Sequence, residues 1–403
     1  MLSDTPVGPT EPQARLASVD AVRGFALFGV LLVNMYNFGA YSPEWTGAFD
    51  RVFFTLMHAV FETKSWRLFS FLFGFGFALQ MVKAEQRSTP MLWVYNRRLV
   101  ILFIIGMLHA LFYDGDILMK YAMLGLVLLA FKNVPKSALP VLALLLLAAF
   151  PVGNMAVSLA VDEPFSGDEQ SESLAERLEG HPYLGSVADV MKANLPAIPP
   201  HIWSGLHNPE SSLAIFAMFL LGLYAGRSRF FHDARRHLPF IRRVFAWGIG
   251  IGVTAAIAEW GLGYFFGYGV FRDHDAGIPV QFVGDLLFAY GSTALALGYA
   301  AGIVLLAEQN GWRGKLRPLQ HLGRMALTVY LSGTVMFTLL FYGYGFEQLF
   351  LIGPAGTTAY AILFFGIQVL FCGWWLNRFR FGPLEWLWRS LTYGKAQSLR
   401  IAP

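Results

Sequence analysis

Ten long runs of apolar residues constrain the fold of this chain more than any other feature of its sequence. A helix that crosses a lipid bilayer needs about 20 predominantly apolar residues. Runs of about that length lie near residues 18–40, 65–82, 94–113, 116–132, 137–161, 211–226, 243–266, 279–306, 323–343 and 355–377. Because 56% of the residues are hydrophobic and only 14% are charged, the chain has too few charged residues to cover the surface of a soluble domain of this size. The sequence therefore predicts an all-α, polytopic integral membrane protein of about ten transmembrane helices.

The distribution of Lys and Arg predicts how these helices are oriented. Cytoplasmic loops of membrane proteins carry an excess of both residues. If the N-terminus is cytoplasmic, most of the 30 Lys and Arg residues fall on the cytoplasmic side, whereas the longest segment on the other side, residues 162–207, is acidic. The first apolar run has no cleavable signal pattern. We therefore expect a multi-pass protein of the bacterial cytoplasmic (inner) membrane with both termini in the cytoplasm.

The same patterns divide the chain into five parts. Residues 1–14 are polar and are expected to form a disordered cytoplasmic tail. Residues 15–161 and 208–380 each hold five of the ten apolar runs and form an N-terminal and a C-terminal half. The acidic segment 162–207 is interpreted either as a lid over the outer face or as a solvated connector. Residues 381–403 are expected to form a second cytoplasmic tail.

A group of charged residues lies at the cytoplasmic ends of the predicted helices. Ionised side chains are costly inside a bilayer, so each needs a partner, water or a function. The group consists of Asp20, Arg23, Arg97, Arg98 and Arg324. Asp20 and Arg23 share a helix face and could simply form a local ion pair. Alternatively, the arginines form a basic pocket for a phosphorylated ligand, because a guanidinium matches phosphate oxygens well.

A larger polar group is predicted in the outer half of the membrane. Its members are Asn34, His58, Lys64, Arg67, His109, Asp114, Asp116, Lys120, Glu259 and Asp285. The most informative segment places His109 ahead of a tight turn that carries Asp114 and Asp116. A carboxylate on one imidazole nitrogen would leave the other nitrogen to act as a general base. The alternative is that His109 only forms a hydrogen bond to a neighbouring helix.

Other kinds of site receive no support from the sequence. No metal-ligand spacing such as HExxH or CxxC occurs, so we predict no metal site. The net charge of +4 is spread along the loops without a basic tract, so nucleic acid is not an expected partner. The single cysteine, Cys372, cannot form an intrachain disulfide.

Four stretches of the sequence resemble the YeiB-type bacterial membrane proteins. They are residues 15–35, residues 64–74, residues 97–121 with Arg97, Arg98, His109 and Asp116, and residues 323–328. They are spread from end to end, so the resemblance covers nearly the whole chain. That family is thought to belong with the transmembrane acyltransferases, of which lysosomal heparan-glucosaminide acetyltransferase is a better-understood member. The resemblance therefore implies transfer of an acyl group from a cytoplasmic acyl-CoA, with acetyl-CoA the first expectation, to an acceptor across the membrane.

This chain differs from the related sequences at two places, so not every residue role can be transferred to it. The lysosomal relative has its catalytic His in the loop after the first helix, where this chain reads Ser-Pro-Glu-Trp at residues 42–45. His109 therefore takes that role only as a hypothesis. In the ninth predicted helix, Val329 and Gly333 stand where many YeiB-like sequences have Asn and Gln, so that helix is expected to contribute less to the site.

The leading hypothesis is an acyltransferase that uses His109 as general base and Asn34 as a hydrogen-bond donor to the oxyanion. Asp116 or Asp114 would orient the imidazole, and acyl-CoA would bind as co-substrate rather than as a resident cofactor. The expected substrate-binding residues are Lys64, Trp66, Arg67, Glu259 and Asp285. Membrane lipids, an acceptor of unspecified structure and a second copy in a homodimer are the expected partners. The alternatives are a transporter or flippase for a small amphiphile, and a membrane scaffold.

Overall fold

Long α-helices form almost the whole of the computed structural model. It describes residues 16–39, 47–87, 91–160, 178–198, 209–231, 234–266 and 277–401. Within these ranges the β-structure is limited to one isolated bridge, between Phe379 and Arg400. The predicted tail at residues 1–14 lies outside the described residues. The prediction of an all-α chain is confirmed.

The helices are numbered in chain order. They are α1 (Ala17–Gly39), α2 (Ala48–Val60), α3 (Lys64–Arg87), α4 (Met91–Ala110), α5 (Leu118–Leu128), α6 (Ala138–Ala160), α7 (Val187–Asn194), α8 (Pro209–Arg227), α9 (Leu238–Phe266), α10 (Ile278–Ala307), α11 (Arg317–Arg324), α12 (Ala326–Phe341), α13 (Pro354–Leu376) and α14 (Pro383–Tyr393).

Eight helical segments in the described part are long and apolar enough to cross a membrane, or nine if α11 and α12 together make one span. The chain is therefore a multi-pass membrane protein, but the predicted count of ten is not confirmed. The difference comes from the run at 116–132, where the apolar helix covers only Leu118–Phe131. At 1.5 Å per residue, a helix of that length spans about 20 Å, less than the hydrocarbon thickness of about 30 Å. The turn before α5 consequently lies below the membrane surface if α5 crosses to the far side.

Small residues let the helices of the bundle approach closely. The backbone of Gly24 in α1 meets that of Leu319 in α11, and Gly323 in α11 meets Asp20 in α1. At a second crossing, Gly74 of α3 meets the backbone of Phe219 in α8, and Gly222 of α8 meets that of Phe71 in α3. A methyl group at any of these positions would collide with a backbone carbonyl, and such contacts are what hold helices together where lipid removes the hydrophobic driving force.

The span formed by α11 and α12 is broken. The two helices meet at an angle of 84°, because Met325 between them has non-helical backbone angles. The break leaves the first N–H groups of α12 without helical partners. The Glu385 carboxylate of α14 accepts hydrogen bonds from the backbone N–H groups of Leu327 (2.6 Å) and Thr328 (3.0 Å) and from the Thr328 hydroxyl (2.6 Å). A carboxylate here also complements the positive end of the helix dipole.

Two segments outside the spans pack against the bundle. Within the predicted tail 381–403, α14 contacts α4 and α12. Within the predicted lid or connector 162–207, residues 178–198 are described. There Tyr183 accepts the N–H of Gly343 (2.9 Å), and Asn194 donates to the carbonyl of Leu111 (3.2 Å). This segment therefore lies over the chain just after α4 and α12.

Candidate functional site

One long cavity runs through the bundle. Its volume is about 860 Å³, and its lining extends from Leu16, just before α1, to Asn37 near the other end of that helix. The rise of an α-helix separates these two residues by about 30 Å, the thickness of a bilayer core. We call the end with Arg23, Arg98 and Arg324 the arginine end and the end near His109 the histidine end.

The arginine end of the cavity carries more positive than negative charge. The charged and aromatic residues that line it come from α1, α4, α11 and α14. They are Asp20, Arg23, Tyr95, Arg98, Arg324, Glu385, Trp388, Arg389 and Tyr393. Four arginines against two carboxylates form an anion-attracting mouth.

The contacts of these arginines differ. Arg23 pairs with Asp20 at 2.9 Å, as the local-pair interpretation predicts, and donates to the carbonyl of Gly323 at 3.2 Å. Arg324 donates from Nη2 to the carbonyl of Arg380 at 3.5 Å, whereas its buried Nε finds no hydrogen-bond partner among the described residues. A buried cationic donor without an acceptor is costly. Arg324 is therefore the arginine best placed to bind an anion.

α14 holds Arg98 in place. The guanidinium lies over the ring of Trp388 at 4.3 Å, a cation–π distance. The indole N–H of Trp388 in turn donates to the backbone carbonyl of Arg98 (3.1 Å). The neighbouring Arg97 is not among the residues that line the cavity and lies beside Gly394 at the end of α14.

The middle of the cavity is apolar. Its wall there consists of Leu27, Phe69, Leu72, Phe73, Leu99, Leu102, Leu118 and Leu327. A flexible hydrocarbon or thioester chain fits such a wall, whereas a free ion would lose its hydration without compensation.

At the histidine end, three buried side chains form a hydrogen-bonded series. His109 Nδ1 lies 2.7 Å from Asp116 Oδ1, and His109 Nε2 lies 2.7 Å from Thr334 Oγ1. The second oxygen of Asp116 accepts the N–H of Met119 (2.9 Å), which fixes the carboxylate at the start of α5. With Nδ1 donating to the carboxylate, Nε2 is left as the acceptor for the Thr334 hydroxyl. This hydroxyl–imidazole–carboxylate order is the arrangement of an activated nucleophile.

The series lies one layer behind the cavity wall. His109 and Thr334 do not line the cavity, but Tyr113 and Tyr330 do. Their ring centroids are 5.7 Å and 5.1 Å from the His109 ring. Asn34 lines the cavity at the same end. Asp114, in contrast, is exposed, so Asp116 rather than Asp114 orients the imidazole.

The predicted substrate-binding residues on α3 have different environments. Trp66 lines the cavity. Lys64 is buried and donates to the carbonyl of His58 (3.0 Å). Arg67 is fully buried and donates to α10, through the Ala289 carbonyl (2.6 Å) and the Thr293 hydroxyl (3.1 Å). Neither Lys64 nor Arg67 is among the cavity-lining residues, so packing between α3 and α10 explains Arg67 better than ligand binding.

Glu259 and Asp285 are also not among the lining residues. Asp285 is buried in α10 and accepts a hydrogen bond from Asn154 of α6 at 2.9 Å. Glu259 is half-buried in α9. The structure therefore brings His109, Asp116 and Asn34 to one end of the cavity and Asp20, Arg23, Arg98 and Arg324 to the other, but not these two carboxylates.

Sequence analysis did not identify Thr334 or the residues of α14. Glu385, Trp388, Arg389 and Tyr393 recur at helical spacing along one face. That periodicity was a usable signal for a helix that faces a site. Thr334 carried no such signal, because it is 225 residues from His109 in the chain.

Comparison with known proteins identifies the family. A family model described as "Protein of unknown function (DUF418)" matches residues 225–395. The uncharacterized protein YxaH of Bacillus subtilis (strain 168) is 31% identical, with 96% of each chain covered. The uncharacterized protein YeiB of Escherichia coli (strain K12) is 28% identical, over 94% of this chain and 96% of the relative. An uncharacterized 39.9 kDa protein of Bacillus acidopullulyticus is 27% identical over 96% of both chains. The chain therefore belongs to the uncharacterised YeiB-like family.

Proposed function

We propose that the chain is a membrane-bound acyltransferase that moves an acyl group from acyl-CoA, bound at the arginine end, to a hydroxyl or amine acceptor at the histidine end. The observation that carries this proposal is the cavity. It extends from the basic mouth to Tyr113 and Tyr330, which separate it from the His109–Asp116 pair. Along α4, His109 is eleven residues from Arg98, or about 16 Å. A ligand with its phosphates at the mouth must therefore extend a flexible arm toward His109.

The residues at the mouth suit the chemistry of CoA. Its phosphates are anions that planar guanidinium groups bind through paired hydrogen bonds. Arg324 has a buried donor to offer, and Arg98 is held by Trp388 rather than by a carboxylate. The apolar middle of the cavity suits the thioester arm that follows the phosphates. Arg23 is less available, because Asp20 already neutralises it.

The transfer would proceed with His109 as the proton acceptor. Nε2 takes the proton of the attacking hydroxyl or amine, and the attacking oxygen or nitrogen bonds to the thioester carbonyl carbon. Asn34 stabilises the negative charge that develops on the carbonyl oxygen. The C–S bond then breaks, and the thiolate leaves with the proton returned by the imidazolium. Asp116 keeps the ring in the tautomer that this sequence requires.

A transporter or flippase for a small amphiphile is the second candidate. The observation that favours it is the same cavity, whose apolar middle lies between two polar ends and is matched to an amphiphile in transit. The two functions differ in their chemistry, because transport leaves the thioester intact. Release of free CoA therefore distinguishes them.

Sealed membrane vesicles test the function and the orientation together. We further propose that the protein resides in the bacterial inner membrane with the arginine end and both termini in the cytoplasm, following the distribution of Lys and Arg. Acetyl-CoA added from outside cannot cross the bilayer, so inside-out membrane vesicles from cells that produce the protein, which also supply the acceptor, should release free CoA and right-side-out vesicles should not. Release from right-side-out vesicles alone would reverse the orientation. Absence of release in both, with uptake of an amphiphile, would favour the transporter.

The basic mouth makes its own prediction. Arg98→Ala and Arg324→Ala should each weaken CoA binding by about tenfold or more, because a hydrogen bond to a charged group contributes about 1.5–3 kcal/mol. The remaining affinity should depend less on salt. Calorimetry at two salt concentrations measures both effects. Arg97→Ala is the matched control, since the adjacent Arg97 is not among the cavity-lining residues. Equal CoA affinity in all three variants would show that the CoA phosphates do not bind at this mouth.

A further inference from the structure

We propose that Thr334 is the nucleophile of a two-step transfer, so that the acyl group passes through a covalent ester on its Oγ1 before it reaches the acceptor. This inference rests on the proposed acyltransferase function and deepens it. Its basis is the series Thr334–His109–Asp116, in which both hydrogen bonds measure 2.7 Å. A nucleophile within reach of a base that a third group orients is the signature of nucleophilic catalysis.

The hydrogen bonding of Thr334 is unusual for a helical threonine in this chain. Buried Ser and Thr side chains in helices commonly donate to a carbonyl of the preceding turn. Thr338, one turn later on α12, does so with Val335 (3.1 Å), and Thr358 does so with Pro354 (2.8 Å). Within the described residues, the only hydrogen bond of Thr334 is with His109. Its hydroxyl is therefore directed at the base and not at its own helix.

Access to Thr334 depends on Tyr330. The two residues are four apart on α12 and share a face, and Tyr330 lines the cavity whereas Thr334 is 4% exposed. The Tyr330 ring also contacts His109, with 5.1 Å between centroids. In the proposed mechanism, a rotation of the Tyr330 side chain gives the thioester access to the nucleophile. In the closed arrangement the layer keeps water from the base, which protects an ester from hydrolysis.

The transfer has two steps. The Thr334 hydroxyl proton moves to His109 Nε2 while Oγ1 bonds to the thioester carbonyl carbon. The C–S bond breaks, and CoA leaves as the thiol after it takes the proton from the imidazolium. In the second step His109 takes the proton of the acceptor, the acceptor attacks the ester carbonyl, and Thr334 Oγ1 leaves and recovers its proton. No oxidant, reductant or further reactant is needed.

Covalent labelling tests this inference. Purified protein in nanodiscs of defined synthetic lipid is incubated with radiolabelled acetyl-CoA without an acceptor, denatured, and mapped by peptide mass spectrometry. Wild type should carry one acetyl ester at Thr334 that alkaline hydroxylamine removes. Thr334→Ser should retain the label, whereas Thr334→Val should lose it by about 10³-fold or more. Thr338→Val is the matched control and should label like wild type, since its hydroxyl donates to the carbonyl of Val335 and does not bond His109.

The outcomes separate this inference from the proposed function. Wild type that releases CoA when a membrane extract supplies acceptor, yet carries no label at Thr334, would show direct transfer and overturn only the covalent step. The covalent step would also be overturned if the Thr334→Val variant carried label. The same holds if the label lay on Cys372 as a thioester, which neutral hydroxylamine cleaves. Neither release nor label would count against both proposals. If Thr334→Val does not fold, the mapped position of the wild-type ester still decides.

Discussion

Replacement of His109 by glutamine is expected to lower acetyl-CoA-dependent turnover by about 10²- to 10⁴-fold, the usual contribution of general-base catalysis. Glutamine can keep one hydrogen bond, to either Asp116 or Thr334, but cannot accept a proton at neutral pH. The variant should therefore fold and bind CoA like wild type while it loses the chemical step. Free CoA release measures turnover, and calorimetry measures CoA binding.

His181→Gln provides the control for a histidine at the same end of the protein. Its Nδ1 accepts the N–H of Tyr183, and His181 is not among the residues that line the cavity, so turnover should stay near the wild-type rate. Near-native turnover of His109→Gln would instead make His109 a packing residue that joins α4 to α12. The base would then have to be another residue, and the transporter would become the better interpretation of the cavity.

The sequence predicted the class of fold because the length of an apolar run is a local property. It failed where a span depends on residues elsewhere in the chain. The run at 323–343 contains no proline, yet the span breaks at Met325, and Glu385, sixty residues later, binds the N–H groups of α12 that the break exposes. The run at 116–132 is long enough in composition, but its helix begins only at Leu118, after the turn that holds Asp116.

The sequence predicted how deep each site residue lies in the membrane, but not in which direction around the helix axis its side chain points. Positive-inside arguments place a residue near one membrane face, and on that basis His109 and Arg67 fell into one polar group. Depth alone does not say which neighbour a side chain faces. His109 faces Asp116, which a short turn brings close, whereas Arg67 faces carbonyls of α10, more than 200 residues away. The same lack of long-range information hid Thr334.

The position of Glu385 leads to the second large expected effect. Glu385→Ala should lower the free energy of unfolding by about 2–4 kcal/mol, because it leaves two backbone N–H groups and the Thr328 hydroxyl without their buried acceptor. The loss should also loosen the bend between α11 and α12. Thermal unfolding followed by tryptophan fluorescence measures the change. An unchanged melting temperature would mean that the break at Met325 is held by packing alone.

Comparing the melting temperatures of wild type and Glu385→Gln across pH shows which protonation state of the Glu385 carboxyl group caps α12. α14 lies outside the candidate spans, and burial raises the pKa of the Glu385 carboxyl, against the opposing effect of its hydrogen bonds. In the unfolded chain a Glu titrates near about pH 4.3. As the pH rises from there through the folded-state pKa, the unfolded state binds fewer protons than the folded state, so wild type loses stability relative to the glutamine variant. The difference in melting temperature between the two proteins should shrink or reverse over that interval and then stay constant. A difference that grows in favour of wild type with rising pH would instead assign the cap to the ionised carboxylate, stabilised by the helix dipole.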